Sequence, residues 1–291
     1  MKNKFLAVPY VVWMAIFVVA PLFLVVIYAF QTAPGEFSLA NFETLAGYAT
    51  VFGRSFLLAA VATVICILLG YPMAYFLARE GPGVRRIAMM LIMLPMWMNF
   101  LLRTYSWMSI LENTGLLNTL FQHIGLIDLY NNIAVHFAAD PAKYVPIQFF
   151  PLINTQGAIV LGMVYNFLPF MILPIFTVIE KIDPKLIEAA QDLGASTSMV
   201  FKRVIFPLSL PGVLSGITMV FVPAVSTFAI SRLLGGGMHT LLGDLIEAQF
   251  MGGAYNPYLG SAVSLVMMII VIVCMAIMNR FGEGEEEVMV L

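Results

Sequence analysis

Residues 180–196 read EKIDPKLIEAAQDLGAS, a charged stretch that lies between two long apolar segments. Within it, Asp183 belongs to the residue types that cap helix N-termini, and Pro184 suits the first helical position. Gly194 readily adopts the left-handed conformation at which helices end, and Ser196 can cap a following helix. The stretch therefore predicts a short, capped helix followed by a second helix.

The surface of this predicted helix has two possible uses. Leu186, Ala190 and Leu193 recur at helical spacing, and Ala189 keeps the adjoining surface small. Such a surface can fit closely into a groove on another protein, and lipid does not select a charged loop. The same pattern also serves a plain helical connector between two membrane spans, and the residues alone leave both uses open.

The composition around this stretch is that of a membrane protein. The chain has 291 residues, of which 61% are hydrophobic and 10% are charged, whereas soluble domains are about half apolar and a quarter charged. A spanning helix needs roughly 20 mostly apolar residues. Six segments qualify, at residues 7–30, 56–78, 87–111, 157–179, 204–230 and 258–278. We expect an all-α membrane protein with six transmembrane helices, forming a single domain over residues 1–291 with a long outer loop at residues 112–156.

The distribution of basic residues predicts the orientation, because cytoplasmic loops carry an excess of Lys and Arg. The side that holds residues 180–203 carries Lys2, Lys4, Arg79, Arg85, Arg86, Lys181, Lys185, Lys202, Arg203 and Arg280. The other side carries Arg54, Arg103, Lys143 and Arg232, together with more acids than bases. The first side is therefore predicted to be cytoplasmic, with both termini inside.

Searches for catalytic and cofactor motifs find none. The sequence has no Gly-Lys pair, so it cannot form the phosphate-binding loop in which that Lys holds a nucleotide. The three histidines are isolated from one another and from acids at ligand spacing, and both cysteines, Cys66 and Cys274, lie in apolar runs. A net charge of −2 gives no basic surface for nucleic acid. We therefore expect no catalytic residue, metal or cofactor on this chain and no nucleic-acid partner.

The region that starts at Glu188 resembles a known family. The matching residues are Glu188, Ala189, Ala190, Leu193, Gly194, Ala195, Phe201, Pro207, Pro211 and Gly212. At this spacing they resemble the EAA loop of the permeases of binding-protein-dependent ATP-binding cassette (ABC) importers. The order of six spans, with the loop between the fourth and the fifth, is also similar to that family.

Further stretches resemble one branch of the family, the spermidine/putrescine permeases. They lie at residues 69–78, 95–99, 102–105, 168–171, 179–181 and 241–250, so that the resemblance covers most of residues 10–280. The outer loop around residues 130–154 departs from the branch because it is longer than expected there.

The resemblance implies a fold, a location and a set of partners. The fold is that of a type I (MetI-like) ABC importer permease in the cell inner membrane. Two permease chains, here a heterodimer, form the pathway, a dimer of ATPase subunits binds the EAA loops at about residues 180–203 and holds the ATP, and an external binding protein delivers a polyamine. The implied coupling residues are Glu188, Ala189, Ala190, Leu193, Gly194 and Ala195, with Glu188 as the pivotal acid.

A pathway for a polyamine, a long cation, should offer carboxylates and aromatic faces. The candidates are Trp97, Tyr105, Glu112, Asp244 and Glu247. On one ideal helix Tyr105 and Glu112 share a face, with Trp97 nearby. The alternative is an interfacial aromatic belt with solvated acids.

Two details of these candidates have structural consequences. Asp244 and Glu247 fall one helical turn apart within residues 241–250, which are too few to span a bilayer and predict a re-entrant or interfacial helix. Arg103, inside a predicted span, is expected to pair with a carboxylate or a carbonyl.

Other functions stay open on the sequence. Related branches carry the same loop, so the solute could be an organophosphonate or ferric ion instead of a polyamine. A secondary transporter would predict inverted repeats, and no clear repeat between the halves is visible. A membrane enzyme lacks any recognisable site.

Overall fold

The computed structural model describes residues 8–137 and 144–289. It is built almost entirely of helices. They are α1 (Val8–Met14), α2 (Ala20–Ala29), α3 (Ala40–Leu45), α4 (Ala49–Arg79), α5 (Pro82–Met93), α6 (Phe100–Leu111), α7 (Leu116–His123), α8 (Leu126–Phe137), α9 (Gln156–Glu180), α10 (Pro184–Asp192), α11 (Thr197–Val200), α12 (Phe206–Ser226), α13 (Ala229–Leu234), α14 (Leu242–Phe250) and α15 (Pro257–Met289). Two short antiparallel strands, β1 (Gln31–Ala33) and β2 (Glu36–Phe37), follow α2.

Five of the predicted spans are present as long apolar helices. They occupy Val8–Ala29, Ala40–Arg79, Gln156–Glu180, Thr197–Ser226 and Pro257–Met278. The start of the first span at residue 7, and the charges of Lys2, Lys4, Asp140 and Lys143, lie outside the described residues. The fifth span is shorter at its end than predicted: α12 stops at Ser226 because Thr227 is extended, and residues 229–230 belong to α13.

The prediction of one continuous third span was wrong. Its two halves, Pro82–Trp97 and Phe100–His123, meet at an angle of 93°. Met98 adopts an extended conformation, and Asn99 caps the second half by accepting the N–H of Leu101 at 2.9 Å. A window that averages hydropathy does not register such a break, since every residue around it except Asn99 is apolar or proline.

The core lies where α4, α9 and α12 pack together. The helix α9 contributes fully buried side chains, among them Ile159, Met163 and Ile175. Glycines on the neighbouring helices permit the close approach, as small residues commonly do between membrane helices. A Cβ atom on Gly212 of α12 would lie 2.8 Å from the carbonyl oxygen of Pro174 in α9.

Gly212→Ala is therefore expected to destabilise the permease by about 1–3 kcal/mol, because a backbone carbonyl cannot rotate away from the added methyl group. Gly53→Ala is the matched control, since nothing lies within 4 Å of a Cβ on this helical glycine. Alanine is the better helix former there, by about 0.5–1 kcal/mol. Thermal unfolding in detergent checks both, and equal midpoints for the two variants would contradict the packing argument.

In the described residues 112–137 and 144–156, the long loop predicted to be outer forms a helical hairpin of α7 and α8. The helices α7 and α8 fold beside an extended segment that starts at Tyr144, and two asparagines fasten that segment. Asn118 both donates to the carbonyl of Phe150 at 3.1 Å and accepts its N–H at 2.9 Å, and Asn131 makes the same pair of bonds with Ile147. Asn118 is buried and Asn131 is half-buried, and amides that satisfy both partners in this way specify one arrangement of these segments.

Candidate functional site

The helix α10 begins as the sequence predicts. The Oδ1 atom of Asp183 accepts the N–H of Lys185 at 3.0 Å, and Pro184 is the first helical residue. Ser196 caps the next helix, α11, with its Oγ atom 3.4 Å from the N–H of Met199. The two caps separate α10 from α9 on one side and from α11 on the other.

The end of α10 is also as predicted. Gly194 has a φ of +82°, a conformation that costs residues with a Cβ atom. Its N–H donates to the carbonyl of Gln191 at 2.8 Å, and the N–H of Ala195 donates to the carbonyl of Ala190 at 3.0 Å. This pair of bonds is a Schellman motif, which stops the helix firmly.

The predicted coupling residues lie on one exposed helix. No residue of α10 is buried. Glu188 and Ala189 face outward, while Ile187 and Ala190 pack against the core. Leu193 is 89% exposed, and Leu186 on the same helix is 51% exposed.

A groove adjoins this helix. Its volume is about 330 Å³, and it runs between the end of α10 and the start of the fifth span. It is lined by Ala190, Leu193, Gly194, Ala195, Met199, Val200, Arg203 and Val204. Four of the coupling residues that the resemblance implied thus share one concave surface with the helix that leads into the membrane, namely Ala190, Leu193, Gly194 and Ala195.

A larger cavity lies at the opposite end of the molecule. It encloses about 720 Å³ between the end of α6, the residues before α9 and the turn after α13. It is lined by Met108, Glu112, Asn113, Thr114, Ile153, Asn154, Arg232, Leu233, Gly236 and Gly237. Glu112 and Arg232 are the charged residues of this lining, so the cavity holds one charge of each sign.

The helix α14 carries the other two candidate acids. Glu247 accepts a hydrogen bond from Arg232 Nη1 at 2.9 Å, so the same arginine touches the cavity and this helix. Asp244 accepts the N–H of Leu241 at 2.8 Å and thereby caps α14. Burial raises the pKa of the Asp244 carboxyl above its ordinary value, although that hydrogen bond and Arg232 act in the opposite direction.

The aromatic candidates are placed differently from the prediction. Trp97 lies in the turn before the break, is 87% exposed and does not share a helix with Tyr105. Tyr105 is half-exposed on α6, and Glu112 follows the last residue of that helix in an extended conformation. The prediction that Trp97 lies near Tyr105 and Glu112 on one helix was therefore wrong, because the chain breaks between Trp97 and Tyr105. Neither aromatic residue lines the larger cavity.

Arg103 also departs from the prediction. Arg103 is buried, with a residue exposure of 8%. In the described part of the chain, its Nε and Nη1 atoms have no hydrogen-bond partner, so the expected carboxylate or carbonyl is missing.

Among the residues that the structure describes, two ion pairs had not been predicted. Arg232 pairs with Glu247 across 15 residues, and Arg85 pairs with Glu180 across 95 residues. The first offered a signal, an arginine and a glutamate on consecutive short helices. The pair of Arg85 and Glu180 offered no such signal, because pairing between two helix ends far apart in the sequence depends on how the spans pack.

The comparisons with known proteins agree with this architecture. Residues 66–283 match the family described as "Binding-protein-dependent transport system inner membrane component". The spermidine/putrescine transport system permease protein PotB of Haemophilus influenzae is 35% identical over 280 residues, covering 92% of this chain and 91% of that protein. The inner membrane ABC transporter permease protein YdcU of Escherichia coli is 29% identical, covering 85% of this chain and 77% of that one.

Solved structures give the fold. A chain of a bacterial ABC transporter involved in the import of the acidic polysaccharide alginate superposes with a TM-score of 0.72 at 17% identity, covering 96% of this chain and 94% of that one. A chain of the MetNI methionine ABC transporter in an inward-facing conformation superposes with a TM-score of 0.57 at 16% identity, covering 81% and 95%. The fold is the type I (MetI-like) ABC importer permease fold.

These matches settle the class of protein. The family match covers most of the chain, and the full-length similarity extends to proteins that are transport components and not enzymes. With its five or six apolar spans, the chain is a multi-pass inner-membrane protein. It belongs to the family of binding-protein-dependent transport system inner membrane components.

Proposed function

We propose that this chain is a permease subunit of an ATP-driven importer of polyamines such as spermidine and putrescine, and that it forms half of the translocation pathway. The observation that carries the substrate is the 35% identity to PotB proteins from Haemophilus influenzae and Escherichia coli, over about nine tenths of each chain. This similarity extends over most of both chains, beyond residues 66–283 that match the family.

The ATP chemistry belongs to separate chains in this proposal. This chain and a second permease form a heterodimer. Two ATPase subunits bind this heterodimer, at α10 of this chain and at the equivalent helix of the second permease. The exposed side chains of Glu188 and Leu193 support this assignment, because both are free to contact a partner subunit at the end of α10. An external binding protein delivers the polyamine to the opposite face.

The coupling residues have distinct roles in this proposal. Glu188 is the pivotal acid on the exposed side of α10, Ala189 keeps that side small enough to enter a groove, and Ala190 lets the helix pack closely on the core. Leu193 anchors the helix in the ATPase, while Gly194 and Ala195 hold its end through the Schellman bonds. A rigid end lets a movement of the ATPase displace the whole helix.

The proposed orientation places α10 and both termini in the cytoplasm. The excess of Lys and Arg in the loops near α10 supports this. The contact between Arg85 and Glu180 is consistent with it, because it joins two of the loops counted on that side.

The substrate pathway is proposed to begin at the outer cavity. A polyamine carries several ammonium groups, which bind carboxylates and the faces of aromatic rings. Glu112 and Glu247 offer carboxylates near the cavity, and Asp244 adds a third on the same short helix. Trp97 is 87% exposed and Tyr105 is 46% exposed on the surface of the subunit, where a second permease would complete a channel.

The test of this function is uptake by the complete complex in proteoliposomes, with ATP enclosed and loaded binding protein outside. Radiolabelled spermidine is expected to accumulate only with ATP and the binding protein. Uptake of an organophosphonate or ferric ion in place of spermidine would support an ABC importer permease with a substrate other than a polyamine. Uptake without ATP would overturn the importer assignment.

Glu112→Gln is expected to raise the KM for spermidine about tenfold, which corresponds to a loss of about 1.4 kcal/mol in binding, because it removes the negative charge from the cavity lining. The matched control is Asp128→Asn, which removes an exposed acid on α8 that is not part of this lining. Initial rates of uptake at varied spermidine concentration check the prediction. Unchanged kinetics for Glu112→Gln would remove this acid from the pathway.

A further inference from the structure

One guanidinium ties three helix ends together on the α10 side of the protein. Arg85, in the first turns of α5, donates from Nη1 to the carboxylate of Glu180, the last residue of α9. Its Nη2 atom donates to the carbonyl of Ala78 at 3.0 Å and to that of Glu80 at 3.2 Å. The guanidinium also lies 5.8 Å from the ring centre of Phe176. The end of α4, the start of α5 and the end of α9 therefore meet on one side chain.

The position of Glu180 connects this contact to α10. The chain leaves α9 at Glu180 and enters α10 at Asp183, its N-cap. A displacement of α10 must therefore act on Glu180 almost directly. Through Arg85, the same displacement acts on the carbonyls of Ala78 and Glu80 at the end of α4.

The helix α4 connects the carbonyls that Arg85 contacts to the other end of the molecule. It has 31 residues, or about 46 Å at 1.5 Å per residue. Near its opposite end, the buried Oγ atom of Ser55 accepts the N–H of Leu242 at 2.8 Å. Leu242 is the first residue of α14, the helix that holds Asp244 and Glu247.

We propose that Arg85 is a positioning residue for transport: it clamps Glu180 to the end of α4, so that movement of α10 shifts α4 and, through Ser55, the acid-bearing helix α14. The proposal rests on the coupling role of α10 and on the pathway role of α14 proposed above. It adds the part of the chain that joins them.

The chemistry of the contact suits a clamp better than a simple support. The Arg85 and Glu180 side chains are 27% and 40% exposed, and partly exposed ion pairs add little to folding stability. The planar guanidinium nevertheless directs bonds to a carboxylate and to two carbonyls at fixed angles, which an ammonium group cannot do. Arg85→Lys keeps the charge and loses this geometry.

The experiment measures spermidine imported per ATP hydrolysed, with the complete complex in proteoliposomes. Arg85→Glu and Glu180→Arg are each expected to lower this ratio by on the order of tenfold, a typical size for coupling mutations, while the ATPase still co-purifies. The exchanged pair, Arg85→Glu with Glu180→Arg, is expected to recover most of the loss. Arg85→Lys is expected to fall between wild type and Arg85→Glu. Arg86→Glu, the same change at the exposed neighbouring residue, is the control.

The outcomes separate this inference from the function on which it rests. Absence of spermidine uptake by the wild-type complex would count against the proposed substrate. Normal wild-type uptake, with both single variants behaving like Arg86→Glu, would overturn the clamp. An exchanged pair no better than the single variants would also overturn it. If a charge reversal prevents assembly, Arg85→Gln and Glu180→Gln replace it, and a ratio equal to wild type for both overturns the proposal.

Discussion

Leu193→Asp is expected to release the ATPase subunits while the permease itself stays folded. The side chain is 89% exposed in the free chain, so the substitution removes no packing within the subunit. Burying a leucine at an interface contributes about 1.5–3 kcal/mol, and burying an unpaired carboxylate costs several kcal/mol more. The affinity for the ATPase should therefore fall by a factor of a hundred or more, at about 1.4 kcal/mol for each tenfold step.

Co-purification of the ATPase with tagged permease measures this loss, and thermal unfolding of the isolated permease shows whether the fold survives. Leu116→Asp is the matched control, because Leu116 is a 72% exposed leucine on α7 in the outer hairpin. Glu188→Arg, on the same exposed surface of α10, should weaken the complex in the same direction. ATPase retention by Leu193→Asp at the wild-type level would show that another surface carries the coupling.

The local parts of this site could be predicted from sequence because their causes lie within a few residues. The cap by Asp183, the stop at Gly194 and the second cap by Ser196 each depend on a residue type and on backbone groups at most five residues away. The exposure of Leu193 could not be predicted in this way. The apolar spacing of Leu186, Ala190 and Leu193 marks one helical face, yet Ala190 packs on the core while the two leucines remain uncovered.

The spans were predictable to the extent that hydropathy determines them. Five long apolar helices follow from the cost of exposing backbone polar groups to lipid. The break at Met98 and Asn99 followed a different rule, since a single capping side chain started a new helix inside an apolar run. Asn99 thereby placed Trp97 and Tyr105 on different helices, although a continuous third span would have held them near each other.

Contacts between distant segments mark the limit of prediction from one sequence. Arg85 at the start of α5 and Glu180 at the end of α9 were both expected on one side of the membrane. The pairing of these two particular side chains nevertheless depends on the packing of α4 against α9. The same is true of the bond from Leu242 to Ser55, which spans 187 residues. The coupling path is thus a property of the folded bundle.

The pair formed by Arg232 and Glu247 gives the second large expected effect. Glu247→Gln should lower spermidine uptake roughly tenfold at low substrate concentration, and Arg232→Gln added to it should restore most of the uptake. The charges around the cavity explain why uptake should fall in the single variant and recover in the double variant. Glu112, Arg232 and Glu247 together carry a net charge of −1 at the outer mouth. The single variant brings this to zero and frees a guanidinium to bind Glu112, whereas the double variant returns the mouth to −1.

The expected size follows from Coulomb's law. Two unit charges about 8 Å apart, at an effective dielectric constant of about 20, repel each other by about 2 kcal/mol, and salt reduces this further. Folding should change little, because the arginine and glutamate side chains are 63% and 26% exposed and exposed pairs contribute about 0–1 kcal/mol. Arg232→Gln alone should lower the KM, since it leaves the mouth at −2. Glu43→Gln, an exposed acid of α3 that does not line the cavity, controls for the loss of any acid. If the double variant transports as poorly as Glu247→Gln, then Glu247 acts on the cation itself, and the freed arginine is not the cause.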